Sequence, residues 1–569
     1  MGETDVKLRS RPFFAAERWP VRLLAGIAVG LLTAAVVTGA ILVFRFVHGG
    51  ADTLAAMAPN DTAVYVNFDL DPSAGQKLAV AGLLDRFPGL NGPSREATIN
   101  HWVDTTLSGS GLNHDDIRPW LGSNVSVVVL DSAFSSTGST STASASPPIA
   151  VLIATNDEGK AQAALEKYTT GPAGSRSTWS TATFDGVAVT SGTGGGGKLV
   201  FAVTDHTAVV GSTTAVVDDI IDTSQGKRAN LTSVSAYTTV QSHLPSERLA
   251  SVYVNLGLVV NRVGSAISAS GTSQAELSPL RAYTGMGLAL VATAHGIALD
   301  GTEDFDASKL TSDMRTLLNI SPHVNGAVAY VPRNAYGLFA VTGLQQTLRG
   351  MLDAFGSALS PNVDATLRRL GVTGSGGIMQ HLRGDAGVEV DALPGQRTPA
   401  GGLVFSTDSN SAAQSFLDNL ASSLCSSSSS CDASHLATQT YRGASISSVP
   451  ISSSGTVVEP SWAVSSGWAI IGSSRAEVRA ILDARATGAS IGTVPSYTKV
   501  VTEVSGSNNA FFYMDVHAVA GAVRGALPQQ DQAAYDTSVA PYLNPFRAVG
   551  MSEQNASDHI TISLFALVQ

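Results

Sequence analysis

The feature that most constrains this chain is that it repeats itself. Phe201 to Asp222 lies without a gap on Trp462 to Asp483. Ala202, Val203, Ala208, Gly211, Ser212, Ala215, Val217, Ile220 and Asp222 are identical to their partners. Gly211 against Gly472 sets an offset of 261 residues, and Tyr237-Thr238 against Tyr497-Thr498 and Tyr253 against Tyr513 keep it at 260. Upstream, Tyr65 laid on Tyr330 gives 265, with the Ser/Thr/Ala-rich tract Ser135 to Pro148 absorbing length differences. Chance matches between Ala/Ser/Val-rich segments would not stay in step over several elements, so two copies of one module in tandem are expected. The chain should divide into a first module over 59–305, a linking helix over 306–320 and a second module over 321–569.

Within each module, short β-branched and aromatic runs precede helix-like segments. Ala63 to Asp69 (AVYVNFD) is the first, and Val252 to Asn255, Val328 to Val331 and Phe512 to Asp515 echo it. Each reads as a strand feeding a helix. Hairpin-like strand pairs dominate, as in Gly285 to Ala294 and Gly296 to Thr302 around a turn at Ala294-His295-Gly296. The expected fold class is therefore α+β, each module a mainly antiparallel sheet with helices covering one face.

Leu23 to Phe44 is 22 residues without a charge, long enough to cross a hydrocarbon core of about 30 Å. Lys7, Arg9, Arg11, Arg18 and Arg22 precede it, and Arg45 alone follows closely. The positive-inside rule then leaves a tail over 1–22 in the cytoplasm and sends a spacer over 45–58 and both modules outside. A cleaved signal peptide ending near Ala55-Ala56-Met57-Ala58 is the alternative. The net charge of −11 argues against nucleic acid, whose phosphates need a basic footprint.

At Pro59 to Asp69, followed by Gln76 to Phe87 and by Ile117-Arg118-Pro119-Trp120-Leu121-Gly122, the chain resembles the domain of unknown function 3352 family of bacterial envelope proteins. The likeness covers most of the external region and is strongest over 55–130. It implies an N-terminal membrane anchor and an extracytoplasmic location. The family carries no agreed catalytic residues, so no role transfers to a residue here.

No catalytic constellation is legible. Gly192 to Lys198 approaches a phosphate loop, but Leu199 stands where a magnesium-binding hydroxyl belongs and a strand follows instead of a helix, so no nucleotide is expected. Arg383-Gly384-Asp385 occupies the same turn as Gly122-Ser123-Asn124 and reads as turn chemistry rather than adhesion. Asp69-Leu70-Asp71 suits the start of a helix better than a cation. The eleven histidines show no HxxxH or HExxH spacing, and no GxSxG elbow is present. No cofactor or metal is expected. Cys425 and Cys431, the only cysteines, would form a local disulfide outside the membrane. These features describe a single-pass, extracytoplasmic envelope protein, non-enzymatic in the leading reading, that binds a protein partner or supports cell-surface assembly. A carrier of lipid or another apolar ligand, and an extracytoplasmic hydrolase, are the alternatives.

Overall fold

Strict alternation is the local cause of the sheet. In Leu121–Leu130 (LGSNVSVVVL) buried and half-buried residues take turns along all of its length, as a strand with one face on a core requires. The computed structural model describes residues 52–569 apart from 89, 91–93, 135–146, 195–196, 270–278, 350–360, 392–399, 427–435 and 454–455. The expected membrane span Leu23 to Phe44 and the cytoplasmic tail lie outside the described residues. Among the described residues, no helix is long and apolar enough to cross a membrane.

Among the described residues, the first half of the chain supplies ten strands. These are β1 (Thr62–Asp69), β2 (Leu121–Leu130), β3 (Ile149–Thr155), β4 (Ser177–Phe184) and β5 (Val187–Gly194). They continue with β6 (Gly197–Thr204), β7 (Thr207–Gly211), β8 (Ala250–Val254), β9 (Tyr283–Thr293) and β10 (Gly296–Phe305). Antiparallel pairing sets their order as β4-β5-β6-β7-β3-β2-β1-β8-β9-β10.

The second half begins with β11 (Ala335–Val341), β12 (Leu382–Asp391), β13 (Ala400–Thr407), β14 (Ala437–Tyr441) and β15 (Ala444–Ser448). A separate hairpin follows, β16 (Ile451–Ser453) with β17 (Thr456–Val458). Then come β18 (Ser461–Ser465), β19 (Trp468–Gly472), β20 (Ala510–Asp515), β21 (Phe546–Asn555) and β22 (His559–Val568). Their order is β14-β15-β18-β19-β13-β12-β11-β20-β21-β22, the first half over again.

The two series do not form separate sheets. β10 pairs with β22 along its length, from Gly296 opposite Leu567 to Asp304 opposite His559, so one antiparallel sheet of twenty strands runs through both halves. Tyr253 faces Gly287 in the first half and Tyr513 faces Gly550 in the second, which fixes equivalent registers. On that register Asp300 pairs with Ser563, its own counterpart. A pseudo-two-fold axis therefore passes through this pair, as in an isologous contact between two copies.

Equivalent residues also start equivalent helices. Thr213 accepts a bond from the Val216 amide to cap Thr214–Ser224, and Ser474 accepts one from Glu477 to cap Arg475–Thr487. Asn255 and Asp515 do the same for Leu256–Ala269 and Val516–Ala526. Tyr65 and Tyr253 are buried and meet Tyr237 edge-on, while Tyr497 and Tyr513 form the matching pair.

Two expectations change. Helices cover both faces of the first half: Tyr65 packs toward Tyr237, whereas Val64 and Val66 point the other way into a cluster with Val259 of Leu256–Ala269. The reason is that β1 is apolar on both faces, and each must be covered. The second concerns Tyr330. It ends a 3-10 helix, Gly326–Tyr330, and the strand begins only at Ala335. Leu338, opposite Tyr513 as Tyr65 is opposite Tyr253, is the true counterpart of Tyr65.

Candidate functional site

Strand alternation sends Glu389 and Asp391 of β12 to the same face, the one covered by Arg475–Thr487. Glu477, in the first turn of that helix, meets them there. One oxygen from each carboxylate can be chosen so that all lie within 4.8 Å of one another. Glu389 is 2% exposed, and Asp391 and Glu477 are wholly buried. No donor from outside the trio reaches either oxygen of Glu389 or Glu477, nor Oδ1 of Asp391, and the carboxyls contact one another. Asp391 Oδ2 accepts a bond of 3.3 Å from Asn334 Nδ2. Burial raises the pKa of all three carboxyls, because their charged forms lose water; for Glu389 the neighbouring Glu477 and Asp391 add to the rise.

Local sequence explains how Glu477 comes to be there. Ser474-Arg475-Ala476-Glu477 has the capping-box pattern, in which the glutamate normally bonds back to the cap residue's amide. Ser474 makes its half of the exchange. Glu477 leaves its own unmade and turns inward. The first half shows what the fold needs at these places. By register and offset, Glu389, Asp391 and Glu477 answer to Val128, Leu130 and Val216, which are all buried in one apolar cluster. Gly402, opposite Glu389, answers to Ala150, opposite Val128. A Cβ on Gly402 would lie 2.3 Å from Glu389 Oε1 and 2.5 Å from Ile481 Cδ1, so glycine leaves the space the carboxylate occupies. Chemically, three buried carboxylates can share protons or surround a cation.

Sequence reasoning did not single out this trio, although the signal was present. The gapless repeat already sets Glu477 on Val216, and Gly387-Val388-Glu389-Val390-Asp391 places acids where its copy has only valine and leucine. The residues that sequence did single out are placed elsewhere. Cys425 is buried near the end of Asn410–Ser426 and is not a free thiol; Cys431 lies outside the described residues. Gly194 faces Gly197 across a β5–β6 hairpin. Arg383-Gly384-Asp385 forms an irregularity at the start of β12, with Gly384 at φ +120°. There Asp385 accepts from the Gly326 amide and bonds His323. Asp71 pairs with Lys77, and Ser73 caps the helix Ala74–Leu84. His114, His243 and His381 hydrogen-bond Asp104, Asp304 and Asp408. The other histidine bonds go to carboxylates or carbonyls: His295 to Glu503, His323 to the Ser321 carbonyl, His517 to the Asn544 carbonyl and His559 to Asp558.

Comparison with known proteins gives a family but no chemistry. Three crystal forms of TP0453 (III, IV and I) are similar at 12%, 13% and 11% identity, each with a TM-score of 0.23. They cover 49%, 45% and 49% of this chain and 90%, 81% and 89% of theirs. A likeness that distant carries no argument here. No curated protein matches the chain. The sequence model of the family described as "Protein of unknown function (DUF3352)" matches residues 24–565. The chain belongs to that family.

Proposed function

We infer that this is a non-enzymatic protein of the cell envelope, anchored through Leu23 to Phe44, that presents its sheet outside the membrane to a protein partner. The observation that carries the reading is the unbroken sheet of twenty strands, which joins both halves into one stiff platform. A carrier of lipid would need an enclosed apolar space. One cavity among the described residues, beside Ser94–Leu107 and lined by Ile99, Val103, Ile117 and Leu121 together with Asn100, His114 and Arg118, measures about 40 Å³, room for water rather than an acyl chain. A hydrolase would need a nucleophile and a base in hydrogen-bond reach, whereas the histidine contacts above go to carboxylates and carbonyls.

Location can be tested by cysteine accessibility. In a C425S/C431S background, Leu78→Cys, at a position 69% exposed, should react with a membrane-impermeant maleimide on intact cells. Reaction only after lysis would place the sheet inside and overturn the reading. Cross-linking in the same cells should give a discrete adduct with another protein. Recovery of the full chain with stoichiometric lipid and no such adduct would move the assignment to the carrier.

A further inference from the structure

We propose that Glu389, Asp391 and Glu477 are the ligands of a hard divalent cation, calcium by preference. This goes beyond an envelope scaffold and does not depend on it. The donor set is all oxygen, with no His or Cys, which suits calcium or magnesium better than zinc or copper. The three oxygens lie within 4.8 Å of one another, close enough to hold one ion, and a site this buried suits calcium better than magnesium, which keeps several of its waters.

Burial supplies an independent reason. A buried carboxylate loses its water with nothing to replace it unless a partner is supplied, and here neither Glu389 nor Glu477 has one outside the trio. Among the described residues, no Lys or Arg acts on any of the three. A dication would neutralise two of three negative charges, and the amino end of Arg475–Thr487 favours the charge that remains.

The chain also contains its own control. The same fold, at the same positions, is built in the first half with Val128, Leu130 and Val216, so folding does not require acids there. Four changes coincide at one point: three apolar residues become acidic, and Ala150 becomes Gly402, which makes the room. Glu477 also gives up a capping bond to take part. Each change alone is unfavourable, and together they make a cage of oxygens.

The test uses the full chain in detergent, stripped with a chelator and titrated with calcium chloride by calorimetry and thermal melting. One calcium per chain and a rise in melting temperature are expected. The variant E389V/D391L/E477V, which copies the first half, should bind none, and its melting should ignore calcium. Gly402→Ala should bind at least tenfold more weakly, since its methyl displaces Glu389. If the triple variant fails to fold, the isosteric Glu477→Gln decides, with at least tenfold weaker binding expected. A wild-type chain that takes up no calcium at millimolar concentration would overturn the assignment. So would a folded triple variant, or E477Q, that binds as the wild type does.

Discussion

Gly550 sits against Val500 so closely that a Cβ would lie 2.1 Å from its Cγ1, and Gly287 is as close to Val240, at 2.4 Å. Each glycine faces a core tyrosine across the sheet, Tyr513 and Tyr253. Gly550→Ala should therefore destabilise the protein by about 1–3 kcal/mol through overpacking. Adding Val500→Ala should recover part of that loss, and denaturant unfolding of the double-mutant cycle measures the coupling. His323 gives a second prediction at this scale. Burial lowers its pKa, but bonds to Asp385 and to the Ser321 carbonyl outweigh that and leave it above its ordinary value. The folded state thus favours the imidazolium. Its contribution is complete below the unfolded pKa of about 6.5 and fades as pH rises through the folded value. His323→Gln should cost more stability at pH 5.5 than at pH 8.5, by less than about 1 kcal/mol because the ring is half exposed. Thermal melting across that range checks it. At this scale the sequence was legible where a residue repeats, as with Gly211 and Gly472, and silent about the trio, since burial decides what an acid means. Glu477 looks from sequence like any capping glutamate.

Elements were easier to read because their causes are local. Thr213 and Ser474 stand three residues before the amides they cap, and that spacing is visible in the chain. Thr213→Ala should lower stability by about 1 kcal/mol, read from the midpoint of chemical unfolding. Val328 to Val331 misled for an equally local reason. Its composition suits a strand, but Asn325 accepts from the Ala327 amide and starts a tight turn instead. Tyr330 then packs on Trp468 at 4.7 Å, with Arg485 over its ring. A side chain three positions before the segment thus outweighed its β propensity. Helix Asn410–Ser426 carries Cys425 near its end. We expect mass spectrometry of a non-reduced digest to find the Cys425–Cys431 bridge, and reduction to shift melting only slightly, since a loop this short constrains little of the unfolded chain.

At the scale of the whole molecule, the repeat was legible and the joint was not. Nothing in Gly296 to Phe305 says which strand lies on its free side, because either edge of a strand can pair. Pairing with β22 ties the last strand of the chain to the middle. Both halves should accordingly unfold in one transition, with calorimetric and van't Hoff enthalpies in agreement. Leu299→Pro, placed beside the axis opposite Leu564, removes a ladder donor there and should split that transition in two. The joint also bears on how such a chain can arise. A strand that meets its own counterpart across a two-fold is what a homodimer would use, and covalent linkage raises the effective concentration of such a contact to the millimolar range. A half beginning at Ser312, expressed alone, would offer β22 to another molecule of itself, Ser563 opposite Ser563. On this view the chain is a fused pair, and one member of a fused pair can keep the fold while the other is free to acquire buried charge.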